Sequence, residues 1–343
     1  KIYILVIILN SMVYIYKKII GERNYYYLRA SQRKGAKVIV KDIAYLGGSI
    51  EEVKKALENL PKYSNEIRKA YKTINNFLES NRYLEKIRLL KLKKDKFVDY
   101  EKLLELEACK LHFNKNFKRN NEITKQEILK NFVIEFAYNT TSIEGNTINL
   151  NEARSLLQEG LTPKNKTLRE IYDIQNTERV FLSLIDSKEE LNHELIQKIH
   201  LDLMENIDKR VGYRTSDVRV IRANFKAIPA PYVKTDMDLL LKWFNENKNK
   251  LHPLVTISVF HHKFEKIHPF MDGNGRTGRV LLNFILMKYN YPPLIILNKE
   301  RKEYLDSLRK ADEMNINETS EDYNELINFT ADQMIKNYWN IFL

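Results

Sequence analysis

The sequence predicts a mainly α-helical protein: a helical core with a short β-hairpin, preceded by a small β-meander and a helical region. Three observations favour this fold class. Apolar residues recur at helical spacing over most of the chain after residue 49. Residues 12–47 are instead rich in Val, Ile and Tyr, with turn residues between the runs. The apolar share of 43% supports a buried core, and 30% charged residues is ordinary for a globular protein.

The amino-terminal region divides into an extension, 1–11, and a meander, 12–48. Residues 2–9, IYILVIIL, are apolar, but a membrane span needs about twenty such residues, so no membrane partner is predicted. Three strands are predicted in the meander, with turns at residues 21–22 and 34–35. Its Tyr, Lys and Arg residues fit either a packed structural sheet, which we favour, or a nucleic-acid surface.

The remaining chain is predicted to be helical, as a region over 49–121 and a compact domain over 122–343. The first helix of that domain, 124–145, carries an apolar stripe from Ile128 to Ala137 and stops at Gly145. A hairpin is predicted within 212–228, where β-branched residues replace the helical period. Further helices are predicted at 149–159, 168–186, 190–206, 234–247, 253–267, 299–312 and 321–340, and another passes through residues 280–286.

Charge and cysteine content limit which partners and which cell compartment are expected. The net charge is +12. Because lysines occur along the whole chain, a solvated basic surface is favoured over a polyanion partner. Cys109 is the only cysteine, so no disulfide can form within the chain, which fits a reducing cytoplasm. We expect Cys109 to serve packing.

One stretch, HPFMDGNGRTGR at 268–279, holds three of the ten glycines. Pro269 disfavours helix at His268, so the helix over 253–267 ends there and leaves the imidazole at a helix terminus. The Gly-Asn-Gly segment at 273–275 can adopt positive φ and leave backbone N–H groups uncovered. A new helix is predicted to start near Arg276, and N–H groups at a helix start form an anion cradle.

The side chains of this stretch indicate phosphate chemistry. Arg276 and Arg279 are three residues apart, on one helix face, and two guanidiniums suit a diphosphate or triphosphate. Asp272 would repel that anion unless Mg²⁺ bridges carboxylate and phosphate oxygens. His268 can accept a proton near neutral pH. Together these groups favour attack by a hydroxyl on phosphorus.

The stretch resembles the signature of the Fic family, HPFxDGNGRxxR, and matches it at every defined position. The likeness extends to GYRTSDVRV, LHPLVTISVFHHKFEKI, YPPLII and YLDSLRKAD, and covers about 120–330. It implies a Fic (Fido) helical core and protein adenylylation. In that reaction AMP passes from ATP to a Ser, Thr or Tyr hydroxyl of a target protein, or of the enzyme itself, and diphosphate is released.

The resemblance also implies residue roles. His268 would be the general base, fixed by Phe270 packing under the loop, and Asp272 would hold the cofactor Mg²⁺. A hairpin flap at 218–225 would cover the nucleotide and offer an edge strand to the target. Gly275 stands where phosphorylating Doc-type relatives carry Lys, which favours adenylylation, whereas Asp312 departs from the Asn of many relatives. The implied nucleotide-binding residues are Glu144, Val220, Ile221, Arg222, Ala223, Asp272, Gly273, Asn274, Gly275, Arg276, Thr277, Gly278, Arg279, Tyr304 and Asp312.

An upstream fragment, TTSIEGN, resembles the Fic inhibitory motif [S/T]xxxE[G/N] through Thr140, Glu144 and Gly145. In the family this Glu pairs with the second arginine of the signature, here Arg279, and takes the place of the γ-phosphate. The likeness therefore implies the class with an N-terminal inhibitory helix. Whether the same Glu also supports AMP removal is left open, as is a homodimer.

The sequence disfavours two alternatives, a zinc site and a nucleic-acid-associated regulator. His261, His262 and His268 lie close in sequence, but their spacings do not match zinc-ligand patterns. We therefore expect His261 and His262 to be helix residues flanking the site. The second function class is a nucleic-acid-associated regulator, in which the basic amino-terminal region binds DNA and the Fic core is secondary. The intact signature disfavours it.

Overall fold

A computed structural model describes residues 12–21, 23–34, 37–218, 227–312 and 319–343. The chain forms two compact units, Lys1–Lys91 and Leu92–Leu343. The division between the units falls at residues 91 and 92, inside the helical region predicted over 49–121, and the boundaries at 48 and 121 stay predictions. The predicted extension over 1–11 lies outside the described residues.

The first unit begins with a three-stranded antiparallel sheet in the order β1-β2-β3, as the meander prediction requires. Its strands are β1 (Met12–Ile20), β2 (Arg23–Lys34) and β3 (Lys37–Gly47). Helices α1 (Ile50–Glu58), α2 (Ser64–Lys69) and α3 (Tyr71–Arg88) follow. Side chains of α1 and α3 pack on one sheet face, and the shared core consists of Val13, Ile15, Tyr26, Leu28, Leu46, Ile50, Val53, Ile74 and Leu78.

The second unit is helical in its described residues. Its helices are α4 (Tyr100–Lys115), α5 (Glu122–Ile143), α6 (Leu150–Glu159), α7 (Leu168–Leu184), α8 (His193–Leu203), α9 (Val233–Asn247), α10 (Pro253–Ile267), α11 (Asn274–Lys288), α12 (Arg301–Lys310) and α13 (Asn324–Ile341). Every helix predicted from sequence is present, with ends that coincide with the prediction or differ from it by up to three residues. Cys109, Trp243 and Trp339 are buried, as expected for packing residues.

Helices α10 and α11 form the centre of the second unit. Residues 254–264 of α10 and 276–286 of α11 are buried. Helix α11 packs against α5, α7 and α8 as well as α10. Because both helices are enclosed along their length, the short turn that joins them is held at both ends.

The predicted hairpin within 212–228 is tested only at its edges. Residues 212–218 and 227–228 are irregular, and the centre of the flap, including Val220, Ile221, Arg222 and Ala223, lies outside the described residues. None of the helices in the described segments is both long and apolar enough to cross a bilayer.

Candidate active site

The site is built on the turn between α10 and α11, and His268 opens it. His268 adopts a left-handed conformation with φ 51° and caps α10 through its N–H, which donates to the Phe264 carbonyl at 3.0 Å. The fully buried Arg214 side chain holds this backbone, because Nε donates to the His268 carbonyl at 2.7 Å and Nη2 to the Ile267 carbonyl at 3.2 Å. Pro269 excludes a further helical turn, as the sequence predicts.

The imidazole of His268 is suited to accept a proton. Nδ1 lies 3.4 Å from the backbone carbonyl of Glu265, and an N–H there leaves the lone pair on Nε2. Burial lowers the pKa of His268 to about 4, so the ring is neutral at pH 7. A neutral imidazole is the form that a general base requires.

Phe270 and Asn274 brace the turn from inside. Asn274 is buried, its Oδ1 accepts from the Phe270 N–H at 2.8 Å, and its Nδ2 donates to the Phe270 carbonyl at 2.8 Å. The Phe270 ring is fully buried and stacks on His200 with centroids 3.6 Å apart. His200 in turn contacts the Asp272 carbonyl through Nε2 at 3.0 Å. The turn is therefore rigid on its inner side.

Helix α11 begins at Asn274, two residues before the predicted start. The expectation of positive φ holds for Gly273, at 76°, and is wrong for Asn274 and Gly275, which are helical. The reason is local, because the side chain of Asn274 hydrogen-bonds the backbone of Phe270 in the turn, so the helix starts earlier. The first N–H groups of α11 have no partner within the helix, which makes this end an anion site.

The two arginines of α11 point to different helices. Arg276 is 3% exposed and pairs with Asp173 of α7. Arg279 is equally buried; its Nε donates to Thr140 Oγ1 at 2.8 Å, and its Nη2 donates to the Thr140 carbonyl at 2.9 Å. Their side chains therefore diverge from the common face that their spacing predicts.

Glu144 follows the last residue of α5 and reaches Arg279. Its Oε1 accepts from Arg279 Nη2 at 2.7 Å, and its side chain is 46% exposed. Burial opposes ionisation, but the charge of Arg279 outweighs it and lowers the pKa of Glu144. Gly145 has φ 100° and ends the helix, as predicted. The Thr140, Glu144 and Arg279 side chains thus meet as the inhibitory motif implies.

Gly275 permits this approach of Glu144. A Cβ built at Gly275 would come well within 3.0 Å of Glu144 Oε1 and lie 2.9 Å from Arg279 Nη1. Real Cβ atoms do not approach neighbours that closely. The Glu144–Arg279 pair, as it stands, requires glycine at position 275.

Asp272 is the one carboxylate beside the turn that the resemblance assigns to Mg²⁺. It accepts from the Gly273 N–H at 2.6 Å and from Arg169 of α7, and it is 35% exposed. Burial raises its pKa, but the Arg169 hydrogen bond and the charge of Arg276 lower it overall. The described residues hold no cluster of three or more metal-ligating side chains. A single ionised carboxylate fits a magnesium ion that a polyphosphate shares.

The residues predicted near the nucleotide base lie between α10 and α12. Tyr304 is buried, and its hydroxyl lies 2.7 Å from Nε2 of His261. Asp312 contacts Nε2 of His262 at 3.2 Å. A cavity of about 30 Å³ is lined by His262, Glu265, Lys266, Leu305, Leu308, Arg309 and Asp312. Asp312 thus lines the cavity, whereas Tyr304 packs behind it.

Four residues of the site were not identified from the sequence: Arg169, Asp173, His200 and Arg214. Each contacts the turn or the arginines from a helix or loop that is 54–103 residues distant in sequence. Only Arg214 lies in a segment singled out beforehand, GYRTSDVRV, and a charged residue after Gly-Tyr was its only signal. Thr277 and Gly278 lie in α11, and both are buried.

Residues 190–286 match the model of the Fic/DOC family. The chain is 31% identical over 182 residues to protein adenylyltransferase fic-1 of Caenorhabditis elegans, covering 51% of this chain and 36% of that protein. It is 32% identical over 197 residues to protein adenylyltransferase Fic of Drosophila grimshawi, covering 54% and 40%. The chain therefore spans less than half the length of these curated relatives.

Solved structures share the fold. A Fic domain containing signaling protein from Bacteroides thetaiotaomicron superposes with a TM-score of 0.62 at 24% identity, covering 69% of this chain and 95% of that one. Fic-1 of C. elegans, residues 134–508, superposes with a TM-score of 0.61 at 22% identity, covering 86% and 88%. The predicted fold class, a mainly helical Fic core, is confirmed.

Proposed function

Because the chain carries a Fic/DOC-family domain, we propose that it is a protein adenylyltransferase, which transfers AMP from ATP to a hydroxyl side chain of a target protein. One observation carries the proposal. A neutral imidazole, an ionised carboxylate and two buried guanidiniums surround a helix start with open N–H groups. Relatives named protein adenylyltransferase match about half of the chain, which supports this reaction.

His268 acts on the attacking group. The hydroxyl oxygen of the target attacks the α-phosphorus while its proton passes to Nε2 of His268, and diphosphate leaves. Arg214 fixes the backbone on both sides of the imidazole. Positioning the base in this way removes the entropy cost of aligning it at each turnover.

The start of α11 and its arginines bind the phosphates. The open N–H groups contact phosphate oxygens, while Arg276 and Arg279 bind the β- and γ-phosphates. Asp272 would hold Mg²⁺, which would neutralise charge on the α- and β-phosphates. Arg169 pairs with Asp272 in this structure, so its guanidinium would compete with a cation for that carboxylate.

Glu144 restrains this activity. Its carboxylate engages Arg279, the partner that the γ-phosphate needs, so ATP binds in an unproductive orientation. Thr140 holds the same guanidinium from the helix and supports the pairing. Release of Glu144 therefore exposes the arginine and starts transfer. We place the reaction in the cytoplasm, with an unidentified target protein and the chain itself as acceptors.

Labelled ATP tests the proposal with purified protein. We expect Glu144→Gly to raise self-labelling at least tenfold and His268→Ala in that background to abolish it. Glu127→Gly is the matched control, because it places the same residue at an exposed position of α5 without touching Arg279. Its label should equal that of the wild type.

Two results would contradict different parts of the proposal. Equal labelling of Glu144→Gly and the wild type would remove the inhibitory role alone. If calorimetry showed no uptake of ATP with Mg²⁺ even in Glu144→Gly, the adenylyltransferase assignment itself would fail.

A further inference from the structure

The positive charge of the chain is concentrated in the first unit. Residues 1–91 contain 19 of the 57 Lys and Arg residues but only 8 of the 45 Asp and Glu residues, a net +11 of the total +12. The second unit is nearly neutral. The charge is therefore divided unevenly between the two units, and a basic unit of this kind suits a polyanion partner.

The sheet of this unit offers one face for such a partner. Its other face is filled by the core that α1 and α3 complete. Strand alternation places a different set of side chains on the outward face. We call this set the tyrosine face: Tyr14, Tyr16, Tyr25, Tyr27, Arg29 and Tyr45. All six are half-buried except Tyr45, which is 55% exposed.

Three tyrosines of this face form a row across the sheet. Tyr16 of β1 pairs with Tyr27 of β2, and Tyr27 pairs with Tyr45 of β3. The ring centroids of Tyr27 and Tyr45 are 5.4 Å apart, and Tyr25 lies 6.4 Å from Tyr45. The rings of Tyr25, Tyr27 and Tyr45 therefore form an aromatic platform, with Tyr16 beside Tyr27 in register.

Cations accompany the rings. The guanidinium carbon of Arg29 lies 3.2 Å from the centroid of the Tyr16 ring, and Asp42 pairs with the same guanidinium. Lys18 pairs in register with Tyr25, so it shares the tyrosine face, and it is exposed. Arg23 is also exposed, two residues before Tyr25 on the same side of β2. Along the strands, the cations therefore lie on both sides of the aromatic row, Arg29 on one side and Lys18 and Arg23 on the other.

We propose that the tyrosine face binds single-stranded nucleic acid, with unpaired bases stacked on the rings and phosphates held by the surrounding cations. Aromatic rings on a sheet combined with a basic rim suit this class of ligand, because every base offers a π-face. A duplex hides those faces within its own stack. An acidic protein would use the cations but has no general need for the row of rings.

Fluorescence anisotropy with the full chain and labelled 12-residue oligonucleotides, rU and dT, tests the proposal. We expect binding to both, weakening steeply with salt by about 0.7 log units per log unit of salt for each phosphate neutralised. The double variant Tyr27→Leu/Tyr45→Leu keeps apolar, strand-compatible side chains but loses stacking. It should bind at least about tenfold more weakly.

The matched control is Tyr71→Leu, a tyrosine that is 64% exposed on α3 of the same unit. It should bind as the wild type does, and circular dichroism should show equal folding of all variants. A second variant, Lys18→Gln/Arg23→Gln, should flatten the salt dependence while leaving every ring in place.

Three outcomes would overturn the proposal. The first is unchanged binding by the double tyrosine variant. The second is an equal loss in Tyr71→Leu. The third is tighter binding to phosphatidylserine vesicles or to polyglutamate than to either oligonucleotide, which would assign the face to a membrane or an acidic protein.

Discussion

Gly275→Ala should break the Glu144–Arg279 pair without changing either partner. Position 275 is helical, so alanine is compatible with its backbone. The added methyl group, however, would occupy the space of Glu144 Oε1. The carboxylate must move, because the backbone of α11 fixes the position of the new Cβ. The variant thus tests whether the observed contact exists in solution.

Two energy terms of opposite sign determine how much Gly275→Ala changes the free energy of unfolding. Alanine in a helix interior is favoured over glycine by about 1 kcal/mol. A hydrogen bond between charged groups contributes about 1.5–3 kcal/mol, and the lower end applies because Glu144 is 46% exposed. In the wild-type background we therefore expect a net loss of about 0.5 kcal/mol in the free energy of unfolding. In Glu144→Gly, where the pair is already absent, the same change should stabilise by up to about 1 kcal/mol.

Urea unfolding followed by tryptophan fluorescence measures this double-mutant cycle. Both tryptophans, Trp243 and Trp339, lie in the second unit, so the signal reports the unit that contains the contact. The coupling energy should be about 1.5 kcal/mol or more. Independent sites add to within about 0.5 kcal/mol, so a value of that size is resolved.

Gly278→Ala supplies the control for this cycle. A Cβ there would meet Glu265 Oε1 and lie 3.1 Å from Phe264, and the atoms nearest to it belong neither to Glu144 nor to Arg279. Its cost should be the same in both backgrounds. If Gly275→Ala behaved in this way too, with no coupling to position 144, the placement of the carboxylate over Gly275 would be wrong.

Two further predictions concern the buried supports of the site. Burial raises the pKa of Glu265 to about 8, so the native state holds a proton that the unfolded state releases above pH 4.5, and stability is lost as pH rises toward 8. Glu265→Gln removes this dependence. In urea unfolding, the free energy of unfolding of the variant should exceed that of the wild type by near zero at pH 4.5 and by about 3 kcal/mol at pH 7. A difference between the two proteins that does not change with pH would contradict this. Asn274→Ala should cost about 2–4 kcal/mol in the same assay, because the N–H and carbonyl of Phe270 both lose their partner. Asn274→Asp keeps the acceptor and should recover part of that loss, whereas equal costs would argue against the bracing role.

The turn was predictable because local rules fix it. Pro269 ends α10 before the imidazole, and Gly273 adopts the positive φ that only glycine takes at low cost. Both effects depend on neighbouring residues alone. The partners of the turn were not predictable in this way. Asp173 reaches Arg276 and Arg169 reaches Asp272 only because α7 packs beside α11, and no local pattern encodes that packing.

The sheet of the first unit shows the same limit, because local patterns do not encode which of its faces is covered. Runs of β-branched and aromatic residues predict its strands. The prediction that Tyr side chains of the sheet pack in a core is correct for Tyr26, which is fully buried. The outward tyrosines obey the same pattern. Composition could not separate the two groups, because the helices that cover one face are chosen by tertiary packing. Net charge, by contrast, could have been partitioned from sequence once a boundary near residue 91 was known.

Of the three glycines in the stretch 268–279, the signature defines Gly273 and Gly275 and leaves position 278 open, and each glycine answers to a different physical need in this chain. Gly273 provides a backbone conformation, with φ 76°. Gly275 is helical and leaves room for a carboxylate from α5, and Gly278 leaves room for Glu265 of α10. A phosphate cradle alone would explain the first two but not the third. The glycines of this stretch therefore allow helix packing and the approach of the Glu144 side chain, as well as the backbone conformation of the turn.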